Sequence, residues 1–391
     1  MTHYQILVPP PRRHRRAFVV LLVVVVVLAV AAGAFFIGKH VQDDRRAGRS
    51  RRADKAGSSS SAALTVVSTT PVTGATSVAS NQVVTVRLSS PVSGGAGTPS
   101  FNPPVPGTWA KVGAKTLSFK ATAPFIPTST ETLVIPGGAD GPHSTDGKEL
   151  SAPVTVTFTV AQASTERLQQ LLAELNYLPL SFTPTSPAGS PIDELTAQAG
   201  TFAWRWPSQP DSLTALWTEG FENVITKAAV MNFENQNGLT VDGLAGMRVW
   251  STLLSDVAAA KVDADPFTYV VVSKVLPESL TLFENGAPAL VDIPVNTGAP
   301  GADTVDGTYP VFEHVVSSRM QGTNPDGTTY DDPAVPWASF FLGGDALHGF
   351  VRATYGSPQS NGCVEMPIAD AAKVWPLSPI GTLVTVVGPA S

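Results

Sequence analysis

Ser360-Asn361-Gly362-Cys363-Val364-Glu365-Met366 holds the only cysteine of the chain, Cys363, fifteen residues after His348 of His348-Gly349. A lone cysteine cannot close an internal disulfide, so it serves either reactivity or packing. The preceding glycine lets backbone approach closely, and the histidine upstream supplies a base, which is the layout of a thiol nucleophile. The plain alternative is a small buried hydrophobe, a common role for free cysteines. The residues around Cys363 favour the nucleophile.

Working outward, residues 267–388 are rich in strand signals. Val270 to Val272, Ser279 to Phe283, Ala289 to Val295, Thr308 to Phe312 and Thr382 to Val387 read as strands, and Glu284-Asn285-Gly286 reads as a hairpin turn. Only Ile368 to Trp375 has a helical pattern. A β domain with its sheet wrapped on itself is expected.

Residues 164–260 change period. Leu168, Leu171, Leu172 and Leu175 fall on one helix face, with Ser164 or Thr165 available as the cap. A second helix is expected from Ile225 to Gln236, stopped by Asn237-Gly238. The stretch from about Leu180 to Asn223 interrupts this pattern with proline and with Trp204, Trp206 and Trp217. Those tryptophans are read as core packing of an enlarged helical lobe, with glycan recognition as the alternative.

Residues 64–161 alternate with period two at Val84, Val86, Leu88 and again at Val154, Val156, Phe158, Val160. Several short strands in about 100 residues predict an immunoglobulin-like sandwich. Pro71 to Ala79 followed by Val83 to Leu88 resembles bacterial Ig-like modules. Nothing here carries chemistry; His143 is read as a loop residue and the module as a spacer.

The N-terminal region is of another kind. Ala17 to Gly38 is an unbroken apolar run, long enough to span a hydrocarbon core as a helix. A cleaved signal peptide is the rival reading, but its apolar core is usually shorter. Residues 1–16 form a basic head, expected on the cytoplasmic side, which places the bulk outside. Residues 39–63 read as a flexible tether. No cysteine lies near the anchor, so lipid attachment there is excluded. Eleven Lys/Arg fall before Gly57 against three Asp; from totals of 25 and 31, this leaves 14 basic and 28 acidic residues, a net of −14 on the body. Such a body repels nucleic-acid phosphates.

Two resemblances bear on function. Thr226 to Phe233, Asn237-Gly238-Leu239 and Asp242-Gly243 through Gly246 to Trp250 look like the peptidoglycan-binding-domain-1 family, a small three-helix module. Val295-Asn296-Thr297-Gly298, Asp306-Gly307-Thr308-Tyr309, Pro336-Trp337, Leu347-His348-Gly349 and Ser360-Asn361-Gly362-Cys363-Val364 resemble, in order, the L,D-transpeptidase (YkuD-like) catalytic domain.

That resemblance implies Cys363 as nucleophile, His348 as its base, and the Gly349 carbonyl as the group fixing the imidazole tautomer. It also implies backbone N–H donors at Gly362 and Cys363 for the oxyanion, with Ser360, Asn361, Tyr330 and Glu365 on the oxyanion or substrate side. Two positions depart from the family pattern: Asn361 stands where a histidine is usual, and Glu365 where Asn or Arg is usual. Glu365 is expected either to raise the thiol pKa or to bind a cationic part of the substrate.

The fold class expected is a multidomain, mainly β protein: transmembrane helix, Ig-like β-sandwich, helical wall-binding-like module and β-rich catalytic domain. The implied function is a membrane-anchored cell-wall L,D-transpeptidase that makes 3→3 cross-links in peptidoglycan through a cysteine acyl-enzyme. Stem peptides are the implied substrates and carbapenem-type β-lactams the implied inhibitors. An L,D-carboxypeptidase and a catalytically impaired wall-binding scaffold are the alternatives. No cofactor is expected: His314 and His40 have no partners at metal-ligand spacing, and a single cysteine precludes a cysteine-rich zinc site.

Overall fold

The computed structural model describes residues 63–93, 97–186 and 195–389. The expected basic head, membrane span and nearly all of the tether lie outside these residues. Among the described residues, no helix is long and apolar enough to cross a membrane.

The first region has eight strands: β1 (Val66–Thr70), β2 (Ala75–Val78), β3 (Val84–Leu88), β4 (Ser100–Phe101), β5 (Gly107–Lys111), β6 (Thr116–Ala121), β7 (Thr130–Ile135) and β8 (Val154–Val160). They form two four-stranded sheets, ordered β1-β3-β6-β5 and β2-β8-β7-β4. The alternation read in the sequence is the packing rule: Val84, Val86 and Leu88 are buried against Val156, Phe158 and Val160, while Arg87 faces solvent. Phe101, Phe119, Phe125 and Phe158 meet in tilted or edge-on contacts at the centre.

The middle region carries helices Thr165–Glu174, Val224–Gln236 and Met247–Ala258. The Ser164 hydroxyl accepts the Arg167 N–H at 3.1 Å, and the Asn223 side chain accepts that of Thr226 at 2.9 Å, so each helix start satisfies a free donor. Gly238 takes φ +63° just beyond the second helix, the conformation that ends it. The interrupting stretch folds as an antiparallel hairpin, β9 (Leu180–Pro184) with β10 (Gly200–Trp204), followed by a short helix at Asp211–Thr214. Trp204 and Trp217 pack against the helical core, and Trp206 stacks on Phe267.

Nine strands follow: β11 (Thr268–Ser273), β12 (Ser279–Glu284), β13 (Ala287–Pro294), β14 (Gly307–Pro310), β15 (Glu313–Thr323), β16 (Thr329–Leu342), β17 (Asp345–Gly349), β18 (Val364–Met366) and β19 (Leu383–Val387). One sheet runs β13-β12-β11-β19-β14 and the other β15-β16-β17-β18. The core between them gathers Val270, Val272, Val384, Val386, Leu347, Val364 and Met366, with Ala371 and Val374 from the helix Ile368–Val374.

The helical region is a layer on the outer face of the first of these sheets. Tyr269 and Leu383 join the core of Leu171, Phe233 and Trp250, whereas their neighbours Val270 and Val384 face the inter-sheet core. Both faces of β11 and β19 are therefore covered. The Tyr269 hydroxyl donates to Thr385 at 2.6 Å and reaches Ser212 at 2.9 Å, which satisfies a phenol buried in that junction.

Candidate active site

His348 lies on β17 and Cys363 immediately precedes β18; the two strands pair in parallel with Leu347 opposite Val364 and His348 opposite Glu365. Paired residues project to the same side and the side alternates along each strand. Leu347 and Val364 enter the inter-sheet core, so Ala346, His348, Cys363 and Glu365 share the other face. Cys363 and His348 are diagonal neighbours there. Ala346 and Cys363 indeed fall in one buried cluster with Met320, Val335, Ala338 and Phe340.

His348 Nδ1 lies 3.1 Å from the Gly349 carbonyl oxygen. That oxygen can only accept, so the contact assigns the hydrogen to Nδ1 and leaves Nε2 with its lone pair. Nε2 is buried and has no hydrogen-bond partner among the described residues. The Cys363 thiol points elsewhere, donating to the Gly344 carbonyl at 3.7 Å. Both side chains are 1% exposed. Burial pushes the thiol pKa up, with Asp345 and Glu365 adding to the effect, and pushes the imidazole pKa down. The resting pair is a neutral thiol beside a neutral base.

The loop Ser360–Cys363 is fixed by its neighbours. Thr304 Oγ1 donates to the Gly362 carbonyl at 2.7 Å and accepts the Gly298 N–H at 2.9 Å. Ser360 N–H donates to Thr297 O, and Ala299 N–H to Ser360 O. Gly362 sits at φ +116°, and a Cβ there would lie 2.3 Å from Asp345 Oδ1, so only glycine fits. That Asp345 carboxyl is pushed up to about 7 by burial.

The remaining expected site residues have the following positions. Ser360 Oγ donates to Cys363 O at 2.5 Å and accepts the Gly362 N–H at 3.2 Å, so in this state the Gly362 N–H is engaged within the loop rather than open to an oxyanion. Asn361 Nδ2 donates to Asn324 Oδ1 at 2.6 Å, at the tip of the β15–β16 hairpin. Tyr330 is on that hairpin, opposite Gly322.

Glu365 does not match its expected role in substrate binding. It is 1% exposed and held by Arg352 through Nε at 2.6 Å and Nη2 at 2.8 Å. A carboxylate taken out of water requires such a partner, and this one leaves no oxygen facing a substrate amine.

Sequence reasoning missed Arg352, Asn324, Thr304 and Asp345. No local pattern in the sequence singles out any of the four. Among the described residues, no group of His, Cys, Asp and Glu has the arrangement to hold a metal ion.

Residues 268–386 match the family model of the L,D-transpeptidase catalytic domain, YkuD, and residues 60–160 match that of a bacterial Ig-like domain, Big_5. Neither match takes in residues 161–267, so the wall-binding likeness of the helical region has no family match behind it. No curated protein matches the chain. Among solved structures, an L,D-transpeptidase from Mycobacterium smegmatis is similar at 13% identity, covering 83% of this chain and 100% of that one, with a TM-score of 0.28. L,D-transpeptidase 3 from Mycobacterium tuberculosis is similar at 13% identity over 82% and 98%, TM-score 0.29. The catalytic domain of an E. faecium L,D-transpeptidase, solved as its ertapenem-acylated form, is similar at 24% identity over 32% and 100%, TM-score 0.28. On the two family matches, the chain carries an L,D-transpeptidase catalytic domain of the YkuD family, preceded by a bacterial Ig-like domain.

Proposed function

We propose that the chain is a membrane-anchored, extracytoplasmic enzyme that forms 3→3 cross-links in peptidoglycan through an acyl-enzyme on Cys363. The observation that carries this reading is the His348 imidazole, tied at Nδ1 to the Gly349 carbonyl and open at Nε2, on the same sheet face as the only thiol.

The steps follow from these groups. The thiol turns from Gly344 O toward Nε2 and gives up its proton as the sulfur attacks the carbonyl carbon of the third stem residue. The tetrahedral oxyanion would be met by the Cys363 N–H, on the same residue as the attacking sulfur. Such a donor is worth about 3 kcal/mol in acyl transfer. Collapse breaks the C–N bond, and the imidazolium returns its proton to the departing amine of D-alanine. An amine of a neighbouring stem then attacks the thioester carbonyl and yields a proton to Nε2. The C–S bond breaks and the thiol is restored by that proton.

The anchor at residues 17–38 would hold the enzyme at the membrane, with the Ig-like region as spacer. The helical region covers the catalytic sheet through Tyr269 and Leu383, which supports reading it as a structural layer. Carbapenems mimic the donor carbonyl and would acylate the same sulfur.

Incubation of the ectodomain with a disaccharide-tetrapeptide tests the proposal. Release of D-alanine with a 3→3 linked dimer is the expected outcome. Tripeptide alone would identify an L,D-carboxypeptidase, and unchanged substrate would contradict the acyl-enzyme.

A further inference from the structure

Glu365 stands opposite His348 in the parallel ladder, on the same face. Its carboxylate takes two hydrogen bonds from Arg352, and the two side chains are 1% and 8% exposed. The Arg352 guanidinium lies over the Phe350 ring at 4.8 Å, and Phe350 in turn meets the His348 ring edge-on at 6.1 Å. Arg352 Nη2 also reaches the Gln359 carbonyl at 3.4 Å. Both ends of the Glu365–Arg352–Phe350 chain adjoin the catalytic imidazole.

We propose that the Glu365–Arg352 pair is a positioning element for His348: it sets the ring plane through Phe350 and supplies a carboxylate that stabilises the imidazolium formed when Cys363 loses its proton. The inference rests on the acyl-enzyme reading above.

Moving the proton from Sγ to Nε2 creates an anion at sulfur and a cation at the ring. Glu365 is directly opposite the ring and two residues along the strand from the sulfur. Its attraction for the nearer cation outweighs its repulsion of the anion, so it favours the separated charges. The groups facing the imidazole act in this sense. Burial holds its pKa down; Glu365 is the largest influence raising it, ahead of the Gly349 carbonyl and Asp332, while Arg352 opposes. At the thiol, Asp345 and Glu365 both oppose the thiolate, and the Ala346 N–H favours it. Arg352 makes burial of the carboxylate tenable, since an ionised carboxylate alone in the interior is costly. The pair thus places an Arg-held carboxylate at the position where the family pattern has Asn or Arg.

The test is acylation by imipenem, followed by intact mass from about pH 4 to about pH 9, a span that extends below the ordinary imidazole range because burial lowers the His348 pKa. Wild type is compared with Glu365→Gln, Glu365→Asp, and the exchanged pair Arg352→Glu with Glu365→Arg, each checked for folding by circular dichroism. Glu365→Gln should acylate about tenfold more slowly, the size of one pKa unit, with its acid limb displaced to lower pH. Glu365→Asp should keep the wild-type limb. The exchanged pair keeps a buried ion pair but turns a cation toward the ring, so its limb should move further in the same direction. Folded variants with wild-type rates and limbs would overturn the inference and leave the pair a packing device. Absence of any adduct on wild type would instead remove the acyl-enzyme reading itself.

Discussion

Asn361 Nδ2 donates to Asn324 Oδ1 at 2.6 Å, joining the nucleophile loop to the tip of the β15–β16 hairpin. Asn324 is otherwise engaged in its own turn: its N–H donates to Thr328 O, its Nδ2 to Thr328 Oγ1, and its carbonyl accepts the Gly327 N–H. The tip is therefore a preformed unit held to the loop two residues ahead of Cys363. Asn324→Ala should cost about 1 kcal/mol and expose a thiol that is now 1% accessible. Iodoacetamide labelling of Cys363 should rise several-fold in Asn324→Ala and Asn361→Ala, with no further gain in the double variant. Equal labelling in all four proteins would show that this bond does not govern access.

Asp345 gives a stability prediction with a definite sign. Its carboxyl is held up to about 7 by burial, against about 4 in an unfolded chain. The folded protein thus keeps a proton that the unfolded chain has released, and the associated stability is lost as pH rises between those values. Asp345→Asn should stabilise the protein at pH 8 by on the order of 2 kcal/mol and leave it unchanged at pH 4. It should also bring the Cys363 thiol down toward its ordinary range, because Asp345 is one of the groups holding it up. Thermal unfolding at the two pH values and the pH profile of alkylation check both effects.

Arg352→Ala removes one partner of a buried ion pair and leaves Glu365, 1% exposed, without its guanidinium. A loss of about 3 kcal/mol or more is expected, read as a lower denaturant midpoint. A midpoint within error of wild type would mean that water or another cation reaches Glu365.

A fragment of residues 267–391 lacks the helices that cover Tyr269 and Leu383. Its first sheet would present an apolar face, so the fragment should be insoluble or bind a hydrophobic dye, whereas residues 161–391 should be soluble and cooperative. A stable, dye-silent 267–391 fragment would show that the helical layer is dispensable.

Much of this was legible in the chain. The strands at Val270, Ser279, Ala289, Thr308 and Thr382, and the helix at Ile368, follow from alternation and from a single helical period; β11, β12 and β19 bury most of their apolar residues, whereas β14 is only half-buried and β13 buries Ile293 alone. The Cys363–His348 relationship was legible from spacing and from the family's order of fragments. The β15–β16 hairpin was not. From Ser317 to Ala334 the hairpin is mostly exposed or half-buried and rich in Ser, Arg, Gln, Asp and Pro, so hydrophobic periodicity is weak there although the backbone is paired, whereas Val335 and Ala338 to Phe341 are buried. Arg352 and Asn324 belong to the same class of omission. Each meets its partner through a long-range contact, 13 and 37 residues away, that no local pattern encodes. Of the two roles expected for Glu365, raising the thiol pKa agrees with the structure, whereas binding a substrate cation was expected only because Arg352 was not in view.

The most direct measurement of the central claim is intact mass of the soluble ectodomain after exposure to imipenem, alongside Cys363→Ser and His348→Ala. The account predicts one covalent adduct on wild type, none on Cys363→Ser, and slow formation on His348→Ala. An unmodified wild type, or an adduct that persists in Cys363→Ser, would contradict it.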